Sequence, residues 1–375
     1  MVVDGDLYVS ECKKHSKKYI YIACPWAPMG GGMFKIADYL VQSQYIDDRY
    51  PELRALDSRG SGLALLSFFV ILKALFFIFI GRISGRLVGV HVNVAERLSF
   101  FRKGLIILFS RLLGLPVVLH LHAAQLPAFY HQLPKIIQFI VRYVFGKATV
   151  CVVLGEKSKK FIIDELNVCP EKIRIVINGV HIIKSDKKKE NDTFHILFLG
   201  NLMERKGVSD LLKALATQQM IGKDNWIASF AGGGDIESYK KLAVTLKIEH
   251  QVSFVGWVNQ EQAADLFAIA DVLILPSYDE GLPLVILEAL GRGVPVICTP
   301  VGEIPDFFEH KKTAYFVETG NIASIADALV TLQDDRQLLS LLGKNALLYY
   351  QEKFSFEAFL VSIYQIYDEV ILSHH

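Results

Sequence analysis

Two glutamates separated by seven residues, Glu280 and Glu288, have the chemistry and the spacing to hold two parts of one polar ligand. Glu280 lies in a loop before a predicted helix, and Glu288 lies more than one turn inside that helix. A carboxylate can accept paired hydrogen bonds from the hydroxyls of a ribose, as in other nucleotide-binding folds. Judged on spacing alone, two solvated glutamates are an equally good interpretation, because short motifs also match by chance.

The residues between these glutamates predict the start of a helix. Gly281 permits a tight turn or a close backbone approach, and Pro283 suits the first position of a helix. The backbone N–H groups of Leu284 and Val285 then lie at the helix start, where they have no partner inside the helix. Such a position is a natural seat for a phosphate or another anion.

Two adjacent cations, Arg205 and Lys206, follow the apolar run 195–199 and the pair Gly200-Asn201. Cations at the end of a strand suit a diphosphate. They can stabilise the charge that grows on a departing diphosphate without a metal ion. The alternative is a solvated basic turn, because most such pairs are exposed.

Two weaker signals stand in the first half of the chain. Gly31 and Gly32 belong to a glycine run after the first predicted strand, where the backbone can approach a phosphate or a sugar. An ordinary flexible turn explains that run equally well. His120 and His122 end the apolar run 117–121, where a cleft would open, although a lone histidine is more often a structural hydrogen-bonding group.

Short apolar runs alternate with longer helical patterns, which predicts parallel sheets covered by helices on both faces. The chain is therefore an α/β protein with two doubly wound halves, and its ligand is expected in the cleft at the carboxyl ends of the strands. The predicted strands of the first half are 19–24, 87–92, 117–121, 149–154 and 173–177, and those of the second are 195–199, 226–231, 252–255, 272–275 and 294–298.

The polar, charged segment 184–192 predicts a linker, so we place a first domain at 1–190 and a second at 191–375. An ordinary surface loop within one domain is the alternative for 184–192.

The spacing Glu-x7-Glu, followed by Ala-Leu-x-x-Gly-x-Pro-Val-Ile over 289–297, resembles the signature of retaining GT-B glycosyltransferases, specifically glycosyltransferase family 4. The resemblance extends over most of the chain. It implies two Rossmann-like domains with parallel sheets facing a central cleft. The first domain is then expected to bind the acceptor and the second the nucleotide sugar, with the last helix packing back on the first domain. It also implies transfer of a hexosyl or related group from a UDP- or GDP-linked sugar to a hydroxyl, with retention and without a cofactor.

The resemblance also implies roles for individual residues. Glu280 and His122 approach the donor sugar, with His120 as the reserve choice for the histidine. Lys206 matches the lysine of the family, but Asn201 stands where an arginine is usual, so Arg205 takes part of that role. The donor-binding set implied is Gly31, Gly32, Asn201, Arg205, Lys206, Gly256, Trp257, Gly281, Leu282, Pro283, Leu284, Val285 and Glu288.

Three features of the sequence qualify these assignments. Gly256 and Trp257 resemble the family's strand and loop near the nucleobase, although core packing explains Trp257 equally well. Glu303 replaces the second glycine of a Gly-Gly loop, which narrows the donor pocket or alters selectivity. The Asp4-Gly5-Asp6 sequence precedes the first strand, where it is poorly placed to hold a metal-bound diphosphate, so we expect no metal.

The hydrophobic residues make up 52% of the chain and the formal net charge is +1, which gives no reason to expect a nucleic-acid partner. The cysteines are five, odd in number and scattered, which fits a reducing cytoplasm. The N-terminus lacks the order of a signal peptide. The apolar run 63–80 is at the lower length limit for a membrane span, and we expect a buried or membrane-surface helix instead.

The apolar and basic segments 100–111 and 135–147 suit the surface of an anionic bilayer, although core helices with snorkelling cations are an equal interpretation. The run 95–104 resembles bacterial exopolysaccharide and capsule glycosyltransferases. This implies a glycan or polyprenyl-diphosphate-linked acceptor and peripheral contact with the cytoplasmic face of the inner membrane. The other functions considered are a sugar-nucleotide epimerase of the same fold and a non-catalytic nucleotide-binding partner of a polysaccharide assembly complex.

Overall fold

The computed structural model describes residues 17–26, 32–43, 50–60, 67–123, 125–187, 192–223 and 225–372. Gly31, Asp4 and Asp6 lie outside the described residues. The first half contains β1 (Tyr19–Cys24), α1 (Gly32–Gln42), β2 (Glu52–Asp57), α2 (Ser67–Ile83), β3 (Leu87–Val94), α3 (Leu98–Leu112), β4 (Val117–Leu121), α4 (Leu126–His131), α5 (Lys135–Lys147), β5 (Val150–Val153), α6 (Glu156–Asp164) and β6 (Ile173–Ile175).

The second half has the same alternation of strands and helices. It contains β7 (Phe194–Leu199), α7 (Val208–Leu215), α8 (Gln218–Ile221), β8 (Trp226–Ala231), α9 (Ile236–Thr245), β9 (Val252–Gly256), α10 (Gln260–Ile269), β10 (Val272–Leu275), α11 (Leu284–Leu290), β11 (Val296–Cys298), α12 (Ile304–Phe307), β12 (Tyr315–Phe316), α13 (Ile322–Asp334), α14 (Arg336–Lys353) and α15 (Phe356–Tyr367).

The strands form two six-stranded sheets, in the orders β2-β1-β3-β4-β5-β6 and β12-β11-β10-β7-β8-β9. All the strand pairs within them are parallel. The predicted α/β fold with two doubly wound halves is therefore confirmed. The strand order reverses between β1 and β3 in the first sheet and between β7 and β10 in the second, and these reversals are where such sheets bind ligands.

Each predicted strand is present, with ends that differ by up to two residues, and the structure adds β2 and β12. The β2 sequence Glu-Leu-Arg-Ala-Leu-Asp alternates charged and apolar residues. It lies at the edge of the first sheet, so it lacks the continuous apolar pattern of a central strand. The β12 strand is two residues long, which is too short for any period to be recognised.

The two faces of the first sheet are covered by different parts of the chain. Tyr19 and Ala23 pack with α2, α3 and α5 on one face. The alternate residues Ile20 and Ile22 pack on the other face with α1 and with side chains of α15, among them Ile363. The last helix therefore contacts the first sheet, whereas the domain boundary near residue 190 stays a prediction.

Helices α2, α3 and α5 lie side by side over the first sheet and expose many apolar side chains. We call this surface the apolar face; its exposed members are Phe68, Phe69, Leu72, Phe76, Phe77, Phe79, Ile80, Ile83, Leu98, Leu105, Leu112, Ile136, Phe139, Ile140 and Tyr143. None of these three helices contains an aspartate or a glutamate. Within the described ranges, no helix is both long and apolar enough to cross a bilayer.

Candidate functional site

The predicted carboxylate and cations come from the two strands that flank the reversal in the second sheet. The loop after β7 contains Arg205 and Lys206, and the loop after β10 contains Glu280. Because β7 and β10 are adjacent and parallel, both loops leave the same edge of the sheet. This edge is the crevice where an open α/β sheet binds a ligand.

Within this crevice, Glu280 is held in place by short polar contacts. Glu280 is 7% exposed, and its carboxylate forms an ion pair with the ammonium of Lys206. The Ser277 hydroxyl donates to the same carboxylate at 2.7 Å. The Arg205 guanidinium donates to the carbonyl oxygen of Asp279. The structure thus brings Arg205, Lys206 and Glu280 together, with Lys206 beside the carboxylate and Arg205 beside the carbonyl of the preceding residue.

Glu288 lies on α11 and faces the first half of the chain. It is 6% exposed, and the ammonium of Lys35 on α1 lies 2.5 Å from its Oε1. The starts of α1 and α11 also meet, since a Cβ at Gly32 would lie 3.4 Å from Cδ1 of Leu284. The two predicted glutamates are therefore both paired with lysines, one from each half of the chain.

The helix start between the glutamates differs by one residue from the prediction. Pro283 has φ −67° and ψ 124°, so it is the extended residue before α11, and Leu284 is the first helical residue. Leu282 is buried beneath the loop, whereas Gly281 is partly exposed. The backbone N–H groups of Leu284 and Val285 thus belong to the first turn, as predicted, where an α-helix leaves such groups without internal partners.

The two histidines at the end of β4 have different surroundings. His122 is partly exposed, and its Nε2 lies 2.9 Å from Oδ1 of Asn93. Because Oδ1 only accepts, this contact places the ring proton on Nε2. Although part of the residue is exposed, protein atoms surround the imidazole, and this removal from water is the main cause that lowers the pKa of His122 to about 3. Repulsion from His91 and Lys103 acts in the same direction, so the imidazole is neutral near pH 7.

His120 is fully buried and belongs to a chain of rings inside the first domain. Its Nδ1 lies 3.2 Å from Nε2 of His91, whose Nδ1 lies 2.7 Å from the hydroxyl of Tyr367 on α15. The rings of His120 and His122 lie 4.1 Å apart. His120 is thus a link between the core and His122 and does not face the cleft.

Asn201 is exposed at the end of β7, and the loop after β8 packs against it. Gly232, with φ +143°, lies so close that a Cβ there would be 1.9 Å from the carbonyl oxygen of Gly200. Its N–H donates to the carbonyl of Gly256 at 2.7 Å. The run Gly232-Gly233-Gly234 thus joins the ends of β7 and β9, and sequence reasoning missed it although three glycines follow an apolar strand.

Trp257 follows Gly256 at the end of the edge strand β9, and its side chain is 57% exposed. This exposure argues against the core-packing interpretation of Trp257. A flat exposed ring at the carboxyl end of a strand is available to stack on a base.

Glu303 lies after β11 and reaches the first half of the chain. Its carboxylate accepts from both the backbone N–H and the hydroxyl of Ser158. A cavity of about 310 Å³ lies between the two halves here. Residues of both halves line it, among them Leu121, Ala123, Lys157, Ser158, Glu280 and Glu303.

Comparison with known proteins agrees with this architecture. Residues 181–348 match the family model described as Glycosyl transferases group 1. The N-acetyl-alpha-D-glucosaminyl L-malate synthase of Bacillus anthracis is 31% identical over 176 residues, which are 47% of this chain and 45% of that protein. The UDP-Gal:alpha-D-GlcNAc-diphosphoundecaprenol alpha-1,3-galactosyltransferase of Escherichia coli is 26% identical over 255 residues, 63% of this chain and 65% of that protein.

The crystal structure of Anabaena HepE in complex with UDP and glucose has a TM-score of 0.73 at 16% identity, and covers 94% of this chain and 100% of that chain. The fold is therefore GT-B, as the resemblance implied. Within it, residues 181–348 form a glycosyl transferases group 1 domain. The chain spans between 44% and 60% of the length of the first four curated relatives that it matches.

Proposed function

We propose that the chain is a retaining, metal-independent glycosyltransferase of family 4, which moves a hexosyl or related group from a UDP- or GDP-linked donor to a hydroxyl of a glycan or lipid-linked acceptor. The observation that carries this proposal is the meeting of Glu280, Arg205 and Lys206 at one crevice, with Glu288 on the helix that follows. Anabaena HepE, which has the same fold, has been crystallised in complex with UDP and glucose and in complex with UDP-glucose.

Each donor group has a partner in this arrangement. Glu288 accepts hydrogen bonds from the ribose once Lys35 has moved aside, and Glu280 holds the donor sugar together with His122. Arg205, Lys206 and the N–H groups of Leu284 and Val285 hold the diphosphate. These positive groups are in place before reaction, so they stabilise the developing charge without reorganisation.

The transfer step balances within the donor and the acceptor. The bond from the anomeric carbon to the phosphate oxygen breaks, and its electron pair remains on that oxygen. The acceptor hydroxyl oxygen then forms the new bond to the anomeric carbon, and its proton goes to the leaving phosphate. This route needs no dedicated protein base, and Arg205 and Lys206 stabilise the diphosphate that leaves.

The apolar face supports a peripheral position on a membrane, and the family resemblance implies its cytoplasmic side. Its helices carry cations such as Lys73, Arg111 and Lys135 and no acidic residue. Apolar side chains that enter the interface and cations that pair with lipid phosphates are the two features of membrane-surface helices. An acceptor in exopolysaccharide, capsule or other cell-surface polysaccharide synthesis fits this position.

The test of function is a donor library incubated with membrane lipid extract and read by mass spectrometry. We expect one donor to lose its sugar to an extracted acceptor, and Glu280→Gln to reduce the rate by about 10²-fold or more, the usual effect of removing a preorganised polar group. Conversion of the donor sugar without an acceptor would indicate the epimerase instead. Nucleotide binding with no turnover of any donor would indicate the non-catalytic partner.

The test of membrane contact is flotation with liposomes that contain anionic lipid. We expect the protein to float at low salt and the double variant Phe68→Ser/Phe69→Ser to float less. Leu348→Ser is the matched control, because Leu348 is 65% exposed on α14, outside the apolar face. Failure of the unaltered protein to float at low salt would contradict docking.

A further inference from the structure

Lys103 is a fully buried lysine in the middle of α3. Its ammonium lies 3.4 Å from Sδ of Met33, a weak acceptor. Among the described residues, no carboxylate forms an ion pair with it. Its pKa is lowered to about 8, mainly by burial and to a smaller extent by Arg102, whereas Cys24 and Glu96 act in the opposite direction.

A buried ammonium without a strong partner costs stability. A methionine of similar length would fill the same space without this cost, so packing does not explain why a lysine stands there. The presence of a buried ammonium is explained if an anionic group of a ligand binds beside it. Met33 is half-buried and flexible, and its thioether can be displaced by such an anion.

The position of Lys103 is where the first sheet is expected to bind a ligand. β1 and β3 flank the reversal of strand order, α3 follows β3, and α1 begins beyond β1. Met33 is the second residue of α1, whose first turn contains no acidic residue. The N–H groups of this turn and the ammonium of Lys103 therefore favour a negative charge at the same place.

A second cation adjoins Lys103. The buried Nε of Arg102 has no acceptor among the described residues. Burial lowers the pKa of Arg102, and the charge of Arg59 lowers it further. The nearby Asp57 is already engaged, because its carboxylate accepts from the backbone N–H groups of Trp26, Arg59 and Gly60 at 3.2, 2.9 and 3.0 Å.

We propose that Lys103 and Arg102, with the start of α1, bind a phosphate of the acceptor, so that the enzyme selects acceptors whose sugar is attached to a phosphate or diphosphate. This inference rests on the proposed function. The donor diphosphate has its own cations, Arg205 and Lys206, in the other half of the chain.

The lipid part of the acceptor can lie along the exposed side of the same helix, α3. α3 buries Lys103 and exposes Leu98, Leu105 and Leu112, which recur every seven residues along one side. A diphosphate that is attached to a lipid in the bilayer therefore reaches α3 while its hydrocarbon remains beside the apolar face.

The experiment compares Lys103→Met with the control Lys344→Met, since Lys344 is exposed on α14 and has no part in the proposed site. The acceptors are one sugar as a short-chain polyprenyl diphosphate, as a 1-phosphate without lipid, and as an alkyl glycoside without phosphate. We expect Lys103→Met to raise KM about 10-fold or more for both phosphorylated acceptors, as for loss of a charged hydrogen bond, and to leave KM for the donor unchanged.

A second measurement does not depend on turnover. With the nucleotide site saturated by UDP or GDP, inorganic pyrophosphate is expected to raise the Tm of the unaltered protein and of Lys344→Met but not of Lys103→Met. Lys103→Met is also expected to be at least as stable as the unaltered protein, which separates loss of binding from loss of folding.

Three outcomes would overturn the proposal. They are unchanged KM values for phosphorylated acceptors, an equal rise in KM for the donor, and an equal pyrophosphate effect in the Lys103→Met and unaltered proteins. Donor hydrolysis by the unaltered protein without acceptor distinguishes this failure from failure of the proposed function, because it is expected of a transferase and would be absent from a protein that is not a transferase.

Discussion

Glu303 accepts two hydrogen bonds from Ser158, from its backbone N–H at 2.9 Å and from its hydroxyl at 2.5 Å. This contact joins the loop after β11 to the first turn of α6 and so links the two halves of the chain. A Cβ at Gly155 would lie 2.2 Å from Oε2 of Glu303, so the glycine makes room for this carboxylate. Burial raises the pKa of Glu303, whereas the bonds from Ser158 oppose that rise.

Removing the Glu303 carboxylate is expected to destabilise the link. Glu303→Ala leaves the Ser158 N–H and hydroxyl without their acceptor, at a cost of about 1–3 kcal/mol in the free energy of unfolding. Urea unfolding measures this cost. Glu309→Ala is the control, since the Glu309 side chain is exposed and pairs with Lys312 on the surface. Equal effects of the two variants would contradict the link.

The proposed contact of Glu288 with ribose predicts a dependence on the ribose hydroxyls. Glu288→Gln is expected to weaken binding of the nucleoside diphosphate about 10- to 100-fold, as for loss of charged hydrogen bonds. The same variant is expected to bind the 2′,3′-dideoxy analogue as well as the unaltered protein does. Calorimetric titration gives both dissociation constants. An equal loss of affinity for the two ligands would show that Glu288 does not contact the ribose hydroxyls.

The buried His91 predicts how stability depends on pH. Burial lowers its pKa to about 3 in the folded protein, against about 6.5 in the unfolded chain. Between these values the unfolded chain binds one more proton, so the free energy of unfolding falls as the pH is lowered below about 6.5.

Replacing this histidine tests the pH dependence. His91→Gln is expected to make the fall in unfolding free energy between pH 4 and 6 shallower by about 1.4 kcal/mol per pH unit. The exposed His250 supplies the control, His250→Gln, which is expected to leave the slope unchanged. An unaltered slope in His91→Gln would show that His91 is charged in the folded protein.

Asn201 stands where the resemblance to family 4 implies an arginine, and a gain-of-function variant tests this difference. Asn201→Arg places a guanidinium at the exposed end of β7, beside the proposed diphosphate. We expect KM for the donor to fall by up to about 10-fold, the effect of one charge-assisted hydrogen bond. Asn201→Gln is the matched control without charge. An unchanged KM would indicate that Arg205 already fills this role.

The sequence was sufficient to predict the fold and the crevice of the second half. Local sequence patterns predict near-continuous apolar strands such as β10 and a helix start such as that at Leu284. The structure contains both. The pattern of strands also predicts that Glu280 and Lys206 lie at one edge of the second sheet, because neighbouring parallel strands end at the same edge.

The partners that cross between the halves were beyond sequence reasoning. Lys35 reaches Glu288 across 253 residues, and Ser158 reaches Glu303 across 145. These contacts depend on how the two halves of the chain pack against each other, which the local periodicity of apolar residues does not indicate. In the sequence, Lys103 is one cation of an apolar and basic helix. Its burial depends on packing against α1 and the first sheet, which the sequence of the helix does not indicate.

The packing of α15 on the first sheet has a consequence for the order of folding during synthesis. Ile20, Ile22 and Val118 share one core with Phe359 and Ile363. A ribosome must therefore translate the whole second sheet before the residues that cover this face of the first sheet exist. The core of the second half is complete at Phe354, before α15 begins, so we expect this face of the first sheet to be covered last although its strands are synthesised first.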